Sequence, residues 1–324
     1  MKLKQLFFAS VTAFAAMGVP AVSHAADAAY PNKNVTILMP YSAGGSSDIM
    51  ARALAKGLTD AWGRNVIVEN RPGASGMIGA EVVAKSTPDG YTLLSTTSSY
   101  PGTVAIRKQL PFDPEKSFIP VAMIARAPIV LAVHPSMPAK TVKEFIALAK
   151  ARPLNYSSSG TGGNNHIAME MFSKAAGIKM THIPYKGIAP GVVALISGEV
   201  DAIIASSPAV MTQVKAGKAR AIAVSSLKPT PLVPGLPAIA ESGVPGFAYE
   251  NWWGVFAPAG TPSNVVNTIN ASVNKVLVGA EMKNLLDREG AAAAPMTVAQ
   301  LADLLPKEIA RYRKASQEAG LKPE

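Results

Sequence analysis

From residue 35 onward, short apolar runs alternate with segments whose apolar residues recur every three or four positions. That pattern predicts strands alternating with helices, an α/β fold built on mainly parallel sheet. "VTILMP" (35–40) reads as a first strand, and in the helix predicted over 49–63 Met50, Leu54 and Leu58 fall on one face. "NVIVEN" (65–70) is a second strand, "RPGASG" (71–76) a turn, and "MIGAEVVAKS" (77–86) a second helix. "PDGYTLLSTTSSY" (88–100) is a turn and a third strand ending in hydroxyls. Glycine and proline punctuate nearly every junction.

A longer apolar stretch, 119–135, exceeds an ordinary strand, and Ala127-Pro128 interrupts it. It reads as a crossing between two domains, or as a two-part buried strand within one. Four further strand patterns (154–160, 180–185, 200–207, 220–226) then alternate with helix patterns at 141–151, 164–177, 189–198 and 208–217. A proline-rich passage (227–246) leads to "AYENWWGVFAPAGTP" (248–262), a second crossing. The rest is helical apart from a break at "EGAAAAP" (289–295). Two crossings place domain 1 at 26–125 and 249–324, around an inserted domain 2 at 126–248. Trp252 and Trp253 then line the hinge or fill the core.

In open α/β sheets ligands sit beyond the C-terminal ends of strands, where loops lead into helices. Two matching loops lie there, one per domain: "YSAGGSSD" (41–48) and "SSSGTGGNNH" (157–166). Neither contains lysine or arginine. A helix start offers N–H groups without intrahelical partners and a partial positive charge. Gly44, Gly45, Gly160, Gly162 and Gly163 let that backbone approach a ligand closely. The hydroxyls of Ser42, Ser46, Ser47 and Thr161 and the amides of Asn164 and Asn165 add donors. Together these suit a carboxylate or phosphate without a buried cation. The plainer alternative is a pair of ordinary capped turns, with Ser47 or Asp48 and Asn164 as caps.

Asp48 reads as a cap or loop brace, since a bare carboxylate repels an anion, and His166 as a ligand donor or a brace. His134 and His182 sit in strand patterns and read as structural. Thr97 and Ser98, with Thr96 and Ser99, end one strand at the expected cleft; Ser206 and Ser207 end another. Lys186, after Tyr185, falls on the cleft rim or on a plain surface turn. The candidate ligand-binding set is therefore Ser42, Ala43, Gly44, Gly45, Ser47 and Asp48 in the first loop, and Ser158, Gly160, Thr161, Gly162, Gly163, Asn164 and His166 in the second. Thr97, Ser98, Lys186, Ser206 and Ser207 complete it.

Composition narrows the class. With 324 residues, 48% hydrophobic and 16% charged, the chain is long enough for two domains with a substantial core. Residues 1–25 carry Lys2 and Lys4, an apolar run and small residues at Ser23 and Ala25, the form of a signal peptide cleaved near Ala25. No later stretch is long and apolar enough to span a membrane. Cysteine is absent, so there is no disulfide framework and no thiol for lipid attachment. A free periplasmic protein is expected. The net charge of +10 is spread along the chain, without the aromatic-basic platform of a nucleic-acid binder. "GTGGNN" (160–165) lacks the last glycine of a dinucleotide loop, and neither a P-loop nor a G-x-S-x-G elbow occurs. No spacing suggests a metal site. The chain reads as no enzyme; the remaining alternative, a small exported hydrolase, needs Ser47 or Ser159 to meet His166 and Asp48.

Several motifs, in order, resemble one family. Pro40, Tyr41, Gly44, Gly45 and Asp48 match P-[FY]-x-x-G-G-x-x-D, and "VENRPGASGMIGAE" and "PDGYTLL" follow. Tyr156, Ser158, Gly160, Gly162 and His166 match Y-x-S-x-G-x-G-x-x-x-H, and "HIPYKG", "ESGVPG", "GVFAPAGTP" and "GLKPE" complete the likeness. From about Tyr30 to its end the chain resembles the Bug (TctC-type) solute receptors of tripartite tricarboxylate transporters. The resemblance implies a two-domain periplasmic-binding-protein fold of Venus-flytrap, type II-like form that closes on a small organic acid. It implies loops that hold a ligand carboxylate directly and through waters, no catalysis and no cofactor. The implied partner of a monomeric receptor is a membrane permease, or in some relatives a sensor kinase. Two departures lie near the cleft: Ser42 stands where many members have proline, and "ASSP" (205–208) replaces a bulkier stretch. Small residues at both points leave room for a larger ligand, such as an aromatic carboxylate.

Overall fold

The computed structural model describes residues 30–321 and 323. The expected signal peptide, residues 1–25, lies outside the described residues. Strands β1 (Val35–Met39), β2 (Val66–Asn70) and β3 (Thr92–Thr97) run parallel in the order β2-β1-β3. Helices α1 (Ser46–Trp62) and α2 (Met77–Ala84) connect them. The predicted face of α1 is buried: Met50, Leu54 and Leu58 pack in one cluster with Ile37 and Met39 of β1. Gly63 ends the helix in the left-handed region, φ 62°, donating its N–H to Thr59 O.

The third strand stops sooner than the sequence suggests. Ser99 N–H donates to Thr97 Oγ1 at 3.0 Å, turning the chain into α3 (Ser99–Ala105). Pro101 falls in the first turn of α3, where a missing N–H costs no helical bond.

The stretch expected to be broken at Ala127-Pro128 is one strand, β4 (Phe118–Val133), of 16 residues. Its first part pairs with β9 (Glu250–Pro258) as far as Pro128, and from Ile129 it pairs with β7 (Ala202–Ser206). Pro128 therefore marks the handover between sheets, where a residue without an N–H is tolerated. In the second lobe β5 (Asn155–Ser158), β6 (Thr181–Pro184) and β7 are parallel, in the order β7-β5-β6. β8 (Arg220–Val224) pairs antiparallel with β4. Between the strands lie α4 (Val142–Ala151), α5 (Asn164–Ala176), α6 (Ile188–Ser197) and α7 (Ser207–Lys215). β9 returns antiparallel to both β3 and β4, so each lobe's parallel trio is completed into a mixed sheet by the crossing strands.

The C-terminal region forms α8 (Ser263–Leu277), α9 (Ala280–Glu289), the short β10 (Ala292–Ala293) against β4, α10 (Val298–Leu301) and α11 (Leu304–Glu318). Trp252 and Trp253 are core residues, 2% and 1% exposed, on opposite faces of the first sheet. The second lobe buries Leu131, Tyr156, Phe172 and Ile204 on one face and Val130, Leu195 and Ile203 on the other. α11 joins both lobes: Leu305 and Ile309 pack with the first, Tyr312 and Ala315 with the second. Among the described residues no helix is long and apolar enough to cross a membrane.

Candidate functional site

The two glycine-rich loops share one backbone design. Each carries a left-handed glycine, Gly44 (φ 81°) or Gly162 (φ 77°), followed by an extended glycine at the helix N-cap, Gly45 or Gly163. No side chain caps either helix, so Ser47, Asp48 and Asn164 are not the caps that the ordinary-turn alternative required. At the third helical position a side chain instead reaches back four residues. Gly44 N–H donates to Asp48 Oδ2 at 3.1 Å, and Gly162 N–H donates to His166 Nδ1 at 3.0 Å.

Both braces are themselves held. Asp48 also accepts from Arg52 Nε at 2.9 Å and from Asn70 Nδ2 at 3.0 Å. Burial opposes its ionisation, but the bonds from Arg52, Asn70 and Gly44 outweigh burial and hold its carboxyl below the ordinary value. His166 stacks on His182 with ring centres 3.9 Å apart, and His182 Nε2 bonds Ser158 Oγ at 2.5 Å. Burial, aided by the neighbouring His182, depresses His166 to about 3, and burial depresses His182 to about 4. Both rings are therefore neutral at pH 7, and His166 Nδ1 is free to accept.

Between the loops lies a narrow cavity of about 30 Å³, space for roughly two waters. Its walls are Tyr41, Ser42, Gly45, Ser46, Ser47, Thr97, Ser99, Ser159, Asn164, Asn165, Ile188, Ser206 and Asn251. None of these residues carries a charge at neutral pH, while hydroxyls and amides are plentiful. The lobes meet directly across it. Ser42 Oγ donates to Lys186 O, Ser46 and Ser206 hydroxyls lie 3.3 Å apart, and Ser75 Oγ donates to Thr161 O at 2.8 Å. Asn164 is the centre of this clasp. Its Oδ1 accepts from Ser99 Oγ (2.9 Å), its Nδ2 donates to Ser98 Oγ (3.2 Å) and Asn251 Oδ1 (2.5 Å), and its N–H donates to Ser99 Oγ (3.2 Å).

Of the residues singled out from sequence, Ser42, Gly45, Ser47, Thr97, Asn164 and Ser206 line the cavity. Ala43 and Gly44 are exposed on the outer side of the first loop. Asp48, His166, Gly162 and Gly163 shape the loops from behind. Ser158 is occupied with Gly160 O and His182, and Ser207 Oγ donates to Gly290 O at 2.6 Å, away from the cavity. Ser98 belongs to the clasp, and Thr161 and Lys186 offer carbonyls to the opposite lobe. Asp48 and His166 lie in different lobes, each bound within its own loop, so no triad assembles around Ser47 or Ser159. Among the described residues no three His, Asp or Glu side chains converge as a metal site. Tyr41, Ile188 and Asn251 were not anticipated. Asn251 did leave a signal, a lone amide at the head of the buried run "WWGVFAP".

The profile of a family described as "Tripartite tricarboxylate transporter family receptor" matches residues 50–321. BugT of Bordetella pertussis is 35% identical over 90% of this chain and 91% of its own. Rpa4515 of R. palustris, solved with adipate, is 35% identical with a TM-score of 0.88, covering 91% of this chain and all of that one. MatC (Rpa3494) from Rhodopseudomonas palustris, solved with bound malate, is 29% identical with a TM-score of 0.84, over 88% of this chain and 99% of that one.

Proposed function

Because the chain belongs to the tripartite tricarboxylate transporter receptor family, a family of solute receptors rather than enzymes, we propose that it binds a small organic acid between its lobes and hands it to a membrane permease. The observation that carries this reading is the cavity wall: helix N-termini from both lobes, those of α1 and α5 among them, border a space whose lining carries no charged side chain and is rich in hydroxyls and amides. A carboxylate there gains N–H and hydroxyl hydrogen bonds strengthened by its own charge. No cation is left buried when the ligand departs, which suits capture and release. The relatives solved with adipate and with malate support the same ligand class.

The closed cavity is too small for such a molecule, so binding requires the lobes to part about the crossing strands β4 and β9 and then close. In this reading domain 1 is 26–125 with 249–324, and domain 2 is 126–248. The mature protein begins after Ala25 and works in the periplasm. The loops 42–48 and 158–166 form the two jaws.

The test is a thermal-shift screen of the mature protein against di- and tricarboxylates, acidic amino acids and aromatic acids, with hits measured by calorimetry. A ligand at about 100 times its dissociation constant stabilises by roughly 2.7 kcal/mol. A saturable hit without turnover supports the receptor. No carboxylate bound by ligand-stripped protein, across all four classes, removes the reading.

A further inference from the structure

Helix α3 turns one face to the second lobe. Ser99, Gly102 and Thr103, with Ile106 just past the helix end, keep the spacing of a single helical stripe, and all four are buried. Another face of α3, Tyr100 and Val104, packs with Leu305 and Ile309 of α11 and so fixes the helix in the first lobe.

The second glycine-rich loop lies along that stripe. Asn164 N–H donates to Ser99 Oγ at 3.2 Å. A Cβ on Gly102 would lie 2.6 Å from Gly162 O and 3.0 Å from Ile167 Cδ1, and one on Gly162 would lie 2.6 Å from Ile106 Cδ1 and 3.1 Å from Thr103 Cα. Two glycines, one from each lobe, therefore bring backbone against backbone. The turn 73–76 closes the rim: Ser75 Oγ donates across the lobes to Thr161 O at 2.8 Å, and the Ser75 carbonyl accepts from Thr103 Oγ1 within its own lobe at 3.4 Å. Gly162 is left-handed, but Gly102 is not. Glycine inside a helix costs stability relative to alanine, so what Gly102 supplies is the close approach of the Gly162 carbonyl.

We propose that this stripe is the seat of the second jaw, and that Gly102 is a positioning residue for ligand binding. By admitting the Gly162 carbonyl it lets the lobes close in a minority of molecules before any ligand arrives. The inference rests on the receptor reading and deepens it, since it concerns the closure that the reading requires. Gly102 is not part of the cavity wall, so it acts through the loop and not on the ligand. A ligand enters the open form and gains the packing of the seat as the lobes close. The seat therefore slows release and leaves capture unaffected.

Interlobe distances on the mature protein test this. The chain has no cysteine, so Val82→Cys in α2 and Val193→Cys in α6, both exposed and one in each lobe, take the only two spin labels. Double electron–electron resonance should show a minority short distance without ligand, which adipate makes dominant. Gly102→Ala should erase the minority population, and the dissociation rate of adipate should rise about tenfold at an unchanged association rate. Ile106→Ala, which trims the seat without wedging it, should move both readouts in the same direction. Gly57→Ala is the control: its Cβ would lie 2.5 Å from Val276 Cγ1, inside the first lobe. It should lower the melting temperature and leave distances and rates alone. Unchanged distances in both seat variants overturn the proposal, as does a wild type with no short distance before adipate is added. An equal response from Gly57→Ala overturns it too, because the effect would then be general destabilisation. Wild type that binds no carboxylate, yet shows a short distance that depends on Gly102, fails the receptor reading and leaves the seat standing.

Discussion

Asp48 and His166 occupy the same position in two different lobes. Each stands third in its helix and accepts the N–H of the left-handed glycine four residues earlier, Gly44 or Gly162. One lobe uses a carboxylate held by Arg52, the other a neutral imidazole stacked on His182. The backbone geometry is common; the acceptor chemistry is not. This accounts for two loops that look alike in glycine and serine yet end in an acid and a histidine.

The difference predicts an asymmetric response to acid. His166 and His182 have folded-state values of about 3 and about 4, below the ordinary 6.5. The unfolded chain takes up these protons first, so the stability they confer is complete above pH 6.5 and is lost as the pH falls below it. Each fully depressed histidine contributes a slope of up to about 1.4 kcal/mol per pH unit. Urea midpoints measured from pH 7 to pH 4 should decline, and His166→Gln, which keeps an acceptor but not the titration, should flatten part of the decline. A wild-type curve level across that range would contradict the buried, neutral pair.

Asp48 acts in a lower window. Its carboxyl is held below 3.8, so its contribution is present above that value and disappears only on further acidification. At pH 7, Asp48→Asn should weaken ligand binding through a looser first jaw, since Gly44 N–H and Arg52 lose their shared anion. Losing charge-assisted bonds of this kind costs about 1.5–3 kcal/mol each at most. Calorimetry and thermal melting of the variant decide it; unchanged affinity would mean that the loop holds its shape unaided.

Asn164 should govern closure. Asn164→Ala removes the side-chain bonds to Ser98, Ser99 and Asn251, each worth about 1 kcal/mol net. The unliganded protein should then be more open by small-angle scattering, and ligand affinity should fall by about tenfold as the closed state loses population. Identical scattering and affinity in the variant would show that the clasp is incidental to closure.

The two left-handed glycines should differ in tolerance. A Cβ on Gly44 meets nothing within 4 Å, whereas one on Gly162 would lie 2.6 Å from Ile106 Cδ1 and 3.1 Å from Thr103 Cα. Gly44→Ala should cost only the left-handed strain, about 1–2 kcal/mol. Gly162→Val adds overpacking of about 1–3 kcal/mol against α3 and should abolish binding while the lobes remain folded. Thermal melts with circular dichroism, paired with calorimetry, separate the two effects.

Much of this protein could be read before its structure. Strand and helix alternation follows from side-chain period, which is local, and Met50, Leu54 and Leu58 bury as their spacing requires. The glycine pairs marked the turns into α1 and α5, because few other residues take a left-handed turn into a helix N-terminus. What the chain alone could not decide was partnership across space. Asn164 looked like a ligand donor, yet its polar side-chain atoms are committed to Ser98, Ser99 and Asn251, residues distant in sequence. Pro128 looked like a break, yet it falls where β4 exchanges β9 for β7, a handover that only sheet topology reveals. Residue identity dictates which conformations and hydrogen bonds are available. Which of them are used depends on what the fold brings within three ångströms, and that is a property of the closed chain.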